Sequence, residues 1–489
     1  MRPLLKELKT ARLDIDMMTR ELIDLLPLWL VTAGAIGLLF NEAVMKEGGR
    51  HLAPYLAILF TAAALAFGVN TVIDVGSERH VLFHGSVVVD WFSATLVCIS
   101  VLSALLAILF SVQYLKQERA VTGEYYALIL LAVAGMITLV VAAEFLTLFV
   151  GVELVSLAGY VLAGYFRVRE RSIEAALKYY LPGIFATGFL LFGIATVYGA
   201  SGSTFFSEIY AKLEISSMDS MVLGLAAVLL LSGFAFKVAV APFHAWAPDV
   251  YDGAAAPVTA FLSTGVKAAA FAGLARVFLS VFKMPGTWLE AFAILSVLTM
   301  VVGNVGALVQ KSVKRMLAYS SVAHAGYVLI AFTAVKRVDA SEFQHAVAVY
   351  MLAYTLMTGG AFGLLAYAGR EGEKRTDLID LAGMSFQRPW MAITMSVFMF
   401  SLAGFPPTAG FFGKYFIFKL AVENGYVWLA IAGVLNSFLS AYYYLRVVVY
   451  MFMEQQTDTE SIPQPSFLLM VGLFISVAGT FLAGFLPPV

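Results

Sequence analysis

The sequence predicts an all-α polytopic membrane protein of about fourteen transmembrane helices. The chain is 61% hydrophobic and 13% charged, where a soluble domain carries about 25% charged residues, and its mean hydropathy is +0.87. Apolar stretches of about 18 or more residues, long enough to cross a bilayer core, recur along its length. Between them lie only short connections, which leave no room for a sizeable soluble domain.

The elements follow in order from where the apolar runs are broken. Residues 1–21 stay charged through Arg20 and Glu21, and no small-residue cleavage site follows the first apolar run, unlike a signal peptide. They read either as a dispensable extension ahead of Met17 or as an interfacial helix, with Leu4, Leu8, Ala11 and Ile15 at helical spacing beside Lys6, Lys9 and Arg12. Spans one to three are expected at 22–40, 52–74 and 87–114, then spans four and five at 125–143 and 144–166, divided only by Glu144. Span six, 173–199, follows Arg167, Arg169 and Arg171, and spans seven to nine are expected at 221–249, 254–282 and 287–309. Span ten, 316–335, follows Lys311, Lys314 and Arg315, and span eleven, 342–368, follows Lys336 and Arg337. Spans twelve to fourteen are expected at 389–422, 426–453 and 465–486.

Connections after odd-numbered spans hold fourteen lysines and arginines, against five on the other side, or ten with the N-terminal extension. The positive-inside rule therefore puts the odd connections in the cytoplasm and both termini on the outer, periplasmic side of an inner membrane.

Two spans should be interrupted. The seventh contains Pro242 and Pro248, and the twelfth contains Gly404, Pro406, Pro407 and Gly410. Proline removes a donor and clashes with the preceding turn. Backbone freed in this way inside a bilayer needs protein or a wet cavity around it. Two broken helices five spans apart, each with a lysine near the break, suggest inverted repeats. The expected organisation is an extension, 1–21; spans one to three, 22–124; a first five-helix repeat, 125–282; a second, 283–453; and a last helix, 454–489.

Several functions are disfavoured. A net charge of −1 argues against nucleic acid as a partner. The single cysteine, Cys98, permits no intramolecular disulfide and no iron–sulfur cluster held by this chain's cysteines alone. Neither G-x-G-x-x-G after a strand nor G-x-x-x-x-G-K-[ST] occurs. The expectation is no redox or nucleotide cofactor in this chain.

The candidate chemistry lies in charges inside apolar runs: Glu153, Lys237, Lys267 and Lys414. Each costs roughly 2.5–3.5 kcal/mol at a membrane-helix centre, so the default reading is an ion or proton path. A lysine ordinarily holds its proton at neutral pH, burial loosens it and a neighbouring carboxylate tightens it. Such a lysine paired with a glutamate can switch, and Glu153 is the natural counter-charge for Lys237. Snorkelling is the bland alternative for each lysine, and it fits Lys419 better. Lys237 and His244 are seven apart and would share a face if the helix stayed regular through Pro242. His324, close to Ser320 and Ser321, could join a proton wire or simply pack. Lys178, four residues after Glu174, reads equally as half of a surface pair or as an auxiliary proton site. Glu144 reads as interfacial. Of the six histidines only His244 and His324 look buried among polar groups, and His80 with His84 lacks a third ligand for a metal.

The runs LFVGVELVSLAGYVLAGY, SIEAALKYYLPG, GFAFKVAVAPFHAWAPDVYDGAAAPVTAFLSTGVKAAAF, QKSVKRMLAYSSVAHAGYVL and SLAGFPPTAGFFGKYFIF resemble the antiporter-like membrane subunits of respiratory complex I. The likeness covers most of residues 120–450, and PFHAWAPDVYDGAAAPV is close to diagnostic. The resemblance implies that Glu153, Lys237, Lys267 and Lys414 are proton-channel residues, with Lys178, His244 and His324 on matching motif positions. It implies other complex I membrane subunits as partners, including other antiporter-like subunits, with FMN, iron–sulfur clusters and quinone handled elsewhere in the assembly. Lys414 stands where one paralogue is expected to have glutamate, and the chain stops at Val489 without a long lateral helix, which narrows the expectation to one of three paralogues. The charged N-terminal extension departs from the family pattern. The runner-up is a subunit of an Mrp-type sodium/proton antiporter; a structural membrane spacer is a third reading, against which the four central charges count.

Overall fold

The computed structural model describes residues 19–49, 51–215, 220–282, 286–334, 340–369, 371–373, 375–455 and 464–486, so the extension before residue 19 lies outside the described residues. Helices α1 (Leu26–Gly49) and α2 (Ala53–Val75) are followed by a hairpin, β1 (Arg79–Leu82) and β2 (Val87–Asp90), paired antiparallel with Arg79 opposite Asp90. The third span therefore begins later than the apolar run suggests, as α3 (Trp91–Gln117). Asp90 ends the strand and caps the helix: its carboxylate accepts from Ser93 N, and Ser93 Oγ accepts from Asp90 N, both at 2.9 Å. The β-branched run of three valines in β2 is a strand signal hidden within an apolar stretch.

Next come α4 (Gly123–Val141), α5 (Phe145–Ala163) and α6 (Glu170–Ser201), with the division at Glu144 confirmed by extended backbone at Ala142 and Glu144. A short helix, α7 (Phe206–Ile215), occupies the connection to α8 (Ser220–Val238) and was not expected from the sequence. The chain continues with α9 (Trp246–Gly253), α10 (Ala256–Ser280), α11 (Gly286–Leu308), α12 (Val313–Ala331) and α13 (Ala340–Ala368). It ends with α14 (Met384–Gln387), α15 (Pro389–Ala403), α16 (Ala409–Glu423), α17 (Val427–Met453) and α18 (Phe467–Phe485).

Among the described residues twelve helices are long and apolar enough to cross a membrane. Twelve of the fourteen expected spans coincide with these, and the other two do not meet that length and composition. The tenth, α12, carries Lys314, Arg315, Ser320, Ser321 and His324, and the twelfth is divided into α15 and α16, each of 15 residues.

Helices α3, α10 and α13 pack against one another at the centre, and α10 is buried throughout its apolar window. Helices α6 and α17 lie outside, exposing Phe185, Phe192, Phe438 and Tyr442. Close approach is set by glycine. An added Cβ on Gly151 of α5 would stand 2.5 Å from Leu139 N of α4, and one on Gly303 of α11 would stand 2.4 Å from Ala323 N of α12. The fourth and fifth spans thus meet by the same device as the ninth and tenth.

Both expected interruptions are present. Helix α8 ends at Val238, Ala239 takes a φ of +59°, and α9 starts only at Trp246. Helix α15 ends at Ala403, Gly404 takes a φ of +91°, and α16 starts after Pro406, Pro407 and Thr408. Part of the backbone around the first break finds new partners: Trp246 Nε1 donates to Phe236 O at 3.0 Å, and Ala241 N donates to Thr299 Oγ1 at 3.1 Å.

Candidate proton-transfer site

Each intramembrane lysine is buried and held by oxygen atoms from another helix or from across a break. Lys237, in the last turn of α8, is 7% exposed and donates to Ser156 Oγ of α5 at 2.7 Å. Its ammonium also lies 5.6 Å from the Tyr160 ring. Glu153 sits one turn before Ser156 on α5, half-buried, within electrostatic reach of Lys237, and accepts from Thr187 Oγ1 of α6 at 2.8 Å. Glu153 and Lys237 are therefore neighbours, while the lysine's hydrogen bond goes to Ser156. Among the described residues no direct ion pair joins the two.

Lys267, on the central helix α10, is 2% exposed and donates to Ser321 O and Oγ of α12 at 2.8 and 2.9 Å. One turn further along α12, His324 Nδ1 meets Tyr350 OH at 2.7 Å and Nε2 meets Tyr444 OH at 3.1 Å. Tyr444 OH in turn meets Ser320 Oγ. His324 is within electrostatic reach of both Lys267 and Lys414. Both of its ring nitrogens face hydroxyls, and a hydroxyl can give or take a proton, so either tautomer is accommodated.

Lys414 reaches back across the second break. Its Nζ donates to Leu402 O at 2.9 Å and Ala403 O at 3.0 Å, the last carbonyls of α15, and to Ser437 Oγ of α17 at 2.8 Å. A cation there is favoured by the partial negative charge at a helix C-terminus. Gly404 makes room for it: a Cβ at that position would lie 3.1 Å from Lys414 Cδ.

The remaining candidates stand differently. His244 lies in the first break, so the shared helical face with Lys237 does not exist, because α8 stops six residues before it; its Nδ1 is buried without a hydrogen-bond partner. Lys178 is 44% exposed and pairs with Glu174 at 2.6 Å and with Asp249 of α9 at 2.7 Å. It clamps α6 to the half-helix α9. His80, which the sequence does not mark as buried, is buried, with Nδ1 2.8 Å from Asp24 Oδ2. Glu144 precedes α5 and accepts from Thr147 and Thr204, as an end-of-helix residue should. Among the described residues no three His, Cys, Asp or Glu side chains gather as a metal site would require.

The sequence reading missed the acceptors and one cation. Tyr350, Tyr444, Ser156 and Ser437 are ordinary residues in helical runs and become notable only through the lysine or histidine they meet. Lys314 is 1% exposed, donates to Asp252 O at 2.9 Å and Ala254 O, and pairs with Glu373. Beside Arg315 and after Lys311 it looks like one more basic residue of a cytoplasmic connection, and that disguises it.

Residues 142–440 match the family model described as NADH:quinone oxidoreductase/Mrp antiporter, TM. The chain is 46% identical over 438 residues to NADH-quinone oxidoreductase subunit N of Trichlorobacter lovleyi, covering 88% of each protein. It superposes on a chain of respiratory complex I from Thermus thermophilus with a TM-score of 0.79 and 34% identity, covering 94% of this chain and 97% of that one. A chain of the Mrp complex from Dietzia sp. DQ12-45-1b shares the fold, with a TM-score of 0.83 at 22% identity, covering 95% and 94%. A broken-helix membrane bundle with buried lysines in these positions, matched over nearly nine-tenths of its length by subunit N proteins, belongs to the NADH:quinone oxidoreductase/Mrp antiporter transmembrane family.

Proposed function

We propose that the chain is the subunit N-type, proton-translocating membrane subunit of an NADH-quinone oxidoreductase, working beside other membrane subunits in an inner membrane while redox chemistry is done elsewhere in the assembly. The observation that carries this reading is three buried lysines, each held by hydroxyl or carbonyl oxygens at the junction of two helices. Such a cation is a proton store whose charge depends on its neighbours. Loss of charge at one lysine alters the balance at the next, through Glu153 for Lys237 and through His324 between Lys267 and Lys414.

The arrangement falls into two groups. Glu153, Ser156 and Lys237 form one; Lys267, Ser321, His324, Tyr350 and Tyr444 form the other, with Lys414 beside it. Among the described residues no hydrogen bond links the groups, so a proton crossing from Lys237 to Lys267 needs water. The matching close contacts at Gly151 and Gly303 support the two five-helix units, 125–282 and 283–453. The 46% identity to a subunit N protein, against 22% to the Mrp chain, favours the redox-coupled reading over the antiporter.

Lys237→Ala and Glu153→Ala should lower NADH-driven proton pumping in membranes where the complex is shown to assemble. Lys237→Arg should fail as well, because arginine stays protonated across the working range. Normal pumping by an assembled Lys237→Ala complex would remove the assignment. Copurification with flavin- and iron–sulfur-bearing subunits separates this reading from the antiporter.

A further inference from the structure

One buried polar cluster plays no part in the path above. Asn304, on α11, is fully buried; its amide donates to Asn436 O and Oδ1 of α17, both at 3.1 Å, and its oxygen accepts from Tyr443 OH at 2.9 Å. Next to it lies Tyr327 of α12, 1% exposed, whose ring centre is 5.1 Å from the Lys414 ammonium. Its hydroxyl lies near Asn304 and Ser440, yet it is buried without a hydrogen-bond partner. Ser440 Oγ donates to Ser437 O at 2.6 Å, and Ser437 Oγ accepts from Lys414 Nζ at 2.8 Å. Polar groups therefore continue from Lys414 along α17 to Asn304, four residues before α11 ends at Leu308. Beyond them Arg446 donates to Leu308 O at 3.3 Å and Gln310 O at 2.6 Å.

A packing clamp between α11 and α17 accounts for the two amides and Tyr443, which satisfy one another. It does not account for Tyr327. A phenylalanine would fill the same space without burying a hydroxyl that lacks a partner, and burying such a group is unfavourable. A fixed clamp also has no use for a rotatable hydroxyl, whereas a proton relay depends on one. After each transfer the group must turn to face its donor again, and a hydroxyl committed to a single partner turns slowly.

We propose that Lys414 has a second proton connection, running along α17 to the end of the bundle where α11 closes, with Tyr327 and Ser440 as relay hydroxyls and Asn304 as the residue that positions them. This rests on the reading of Lys414 as a proton carrier. A proton arriving at that end binds a hydroxyl oxygen, which releases its own proton onward. The last proton in the series is taken by the lone pair of neutral Lys414, and every hydroxyl keeps the one proton it began with. The end of the bundle reached by this route carries the basic connections Lys311 and Arg388, so the route links Lys414 to the side that the positive-inside rule makes cytoplasmic.

Tyr327→Phe keeps the ring over Lys414 and deletes only the hydroxyl. In the whole complex, reconstituted in proteoliposomes, it should lower the number of protons moved per NADH oxidised. Asn304→Leu should do the same, while Asn304→Asp should keep pumping and shift its pH profile, because a titrating group then stands in the relay. A Tyr327→Phe complex with the wild-type ratio and pH profile overturns the second connection. Lys414→Ala in the same assay separates the two readings. If it loses pumping while Tyr327→Phe does not, only the second connection falls; if both pump normally, the role of Lys414 falls with it.

Discussion

At the scale of single residues, the three intramembrane lysines are chemically alike and differ only in what receives their protons. Lys237 has one hydroxyl, Lys267 a hydroxyl and a carbonyl, and Lys414 two carbonyls of a helix end and a hydroxyl. Ser321→Ala should therefore leave Lys267 with a single acceptor and weaken pumping less than Lys267→Ala does, as judged from proton uptake rates in vesicles. Lys314 is a different kind of buried cation. It ties the carbonyls at the end of α9 to Glu373, so Lys314→Met leaves a largely buried carboxylate without its cation, with Ala256 N still donating to it. Breaking such a pair costs about 3–5 kcal/mol, and the purified complex should show a lower melting temperature or lose this subunit. An unchanged melting temperature would mean that Glu373 finds another partner.

At the scale of elements, helix contacts are set by where a side chain cannot exist. Gly151→Val drives a branched side chain into the α4 backbone and should abolish assembly. Gly188→Ala, whose Cβ would meet nothing within 4 Å, should assemble normally, and the amount of subunit in membranes reports the difference. The hairpin is fastened to the central helix by Arg276 Nη2 and Asp90 Oδ1 at 2.7 Å. Burial pushes the Asp90 carboxyl up, but the Arg276 guanidinium and the bonds with Ser93 outweigh it and hold it below the usual carboxylate value. A carboxyl lowered on folding contributes stability above its unfolded value, about 4, and loses it as pH falls through the lower folded value. The acid-side fall in melting temperature of the purified protein should accordingly be shallower in Asp90→Asn, which has no carboxylate to protonate. A variant with the same acid slope as wild type would show that the pair contributes nothing there.

At the scale of the whole molecule, the distribution of basic residues makes a claim about sidedness. In a Cys98→Ser background, Val168→Cys, at a position 93% exposed in the connection between α5 and α6, should react with an impermeant thiol reagent in inside-out vesicles and stay protected in right-side-out ones. The opposite pattern would reverse the orientation.

What the sequence determined by itself is what depends on local composition. Apolar length marks the spans, proline and glycine mark the two breaks at Pro242 and Pro406, and a charge inside an apolar run marks Glu153, Lys237, Lys267 and Lys414, because each of these signals is physical within a few residues of itself. The family motifs share that property. Only the tertiary structure decided who meets whom. Ser156 is 81 residues from Lys237 in sequence, Ser321 is 54 from Lys267, and His80 is 56 from Asp24. The same holds for negative results: His244 lost its helical register with Lys237 because the chain leaves the helix at Ala239, and Lys178 turned to Asp249 on the half-helix that the break had freed. Lys314 reads as a connection charge until Glu373 and the carbonyls of α9 close around it. Partners of this kind are fixed by helix packing, and helix packing depends on backbone approach at residues such as Gly151 and Gly303, whose spatial neighbours no stretch of sequence contains.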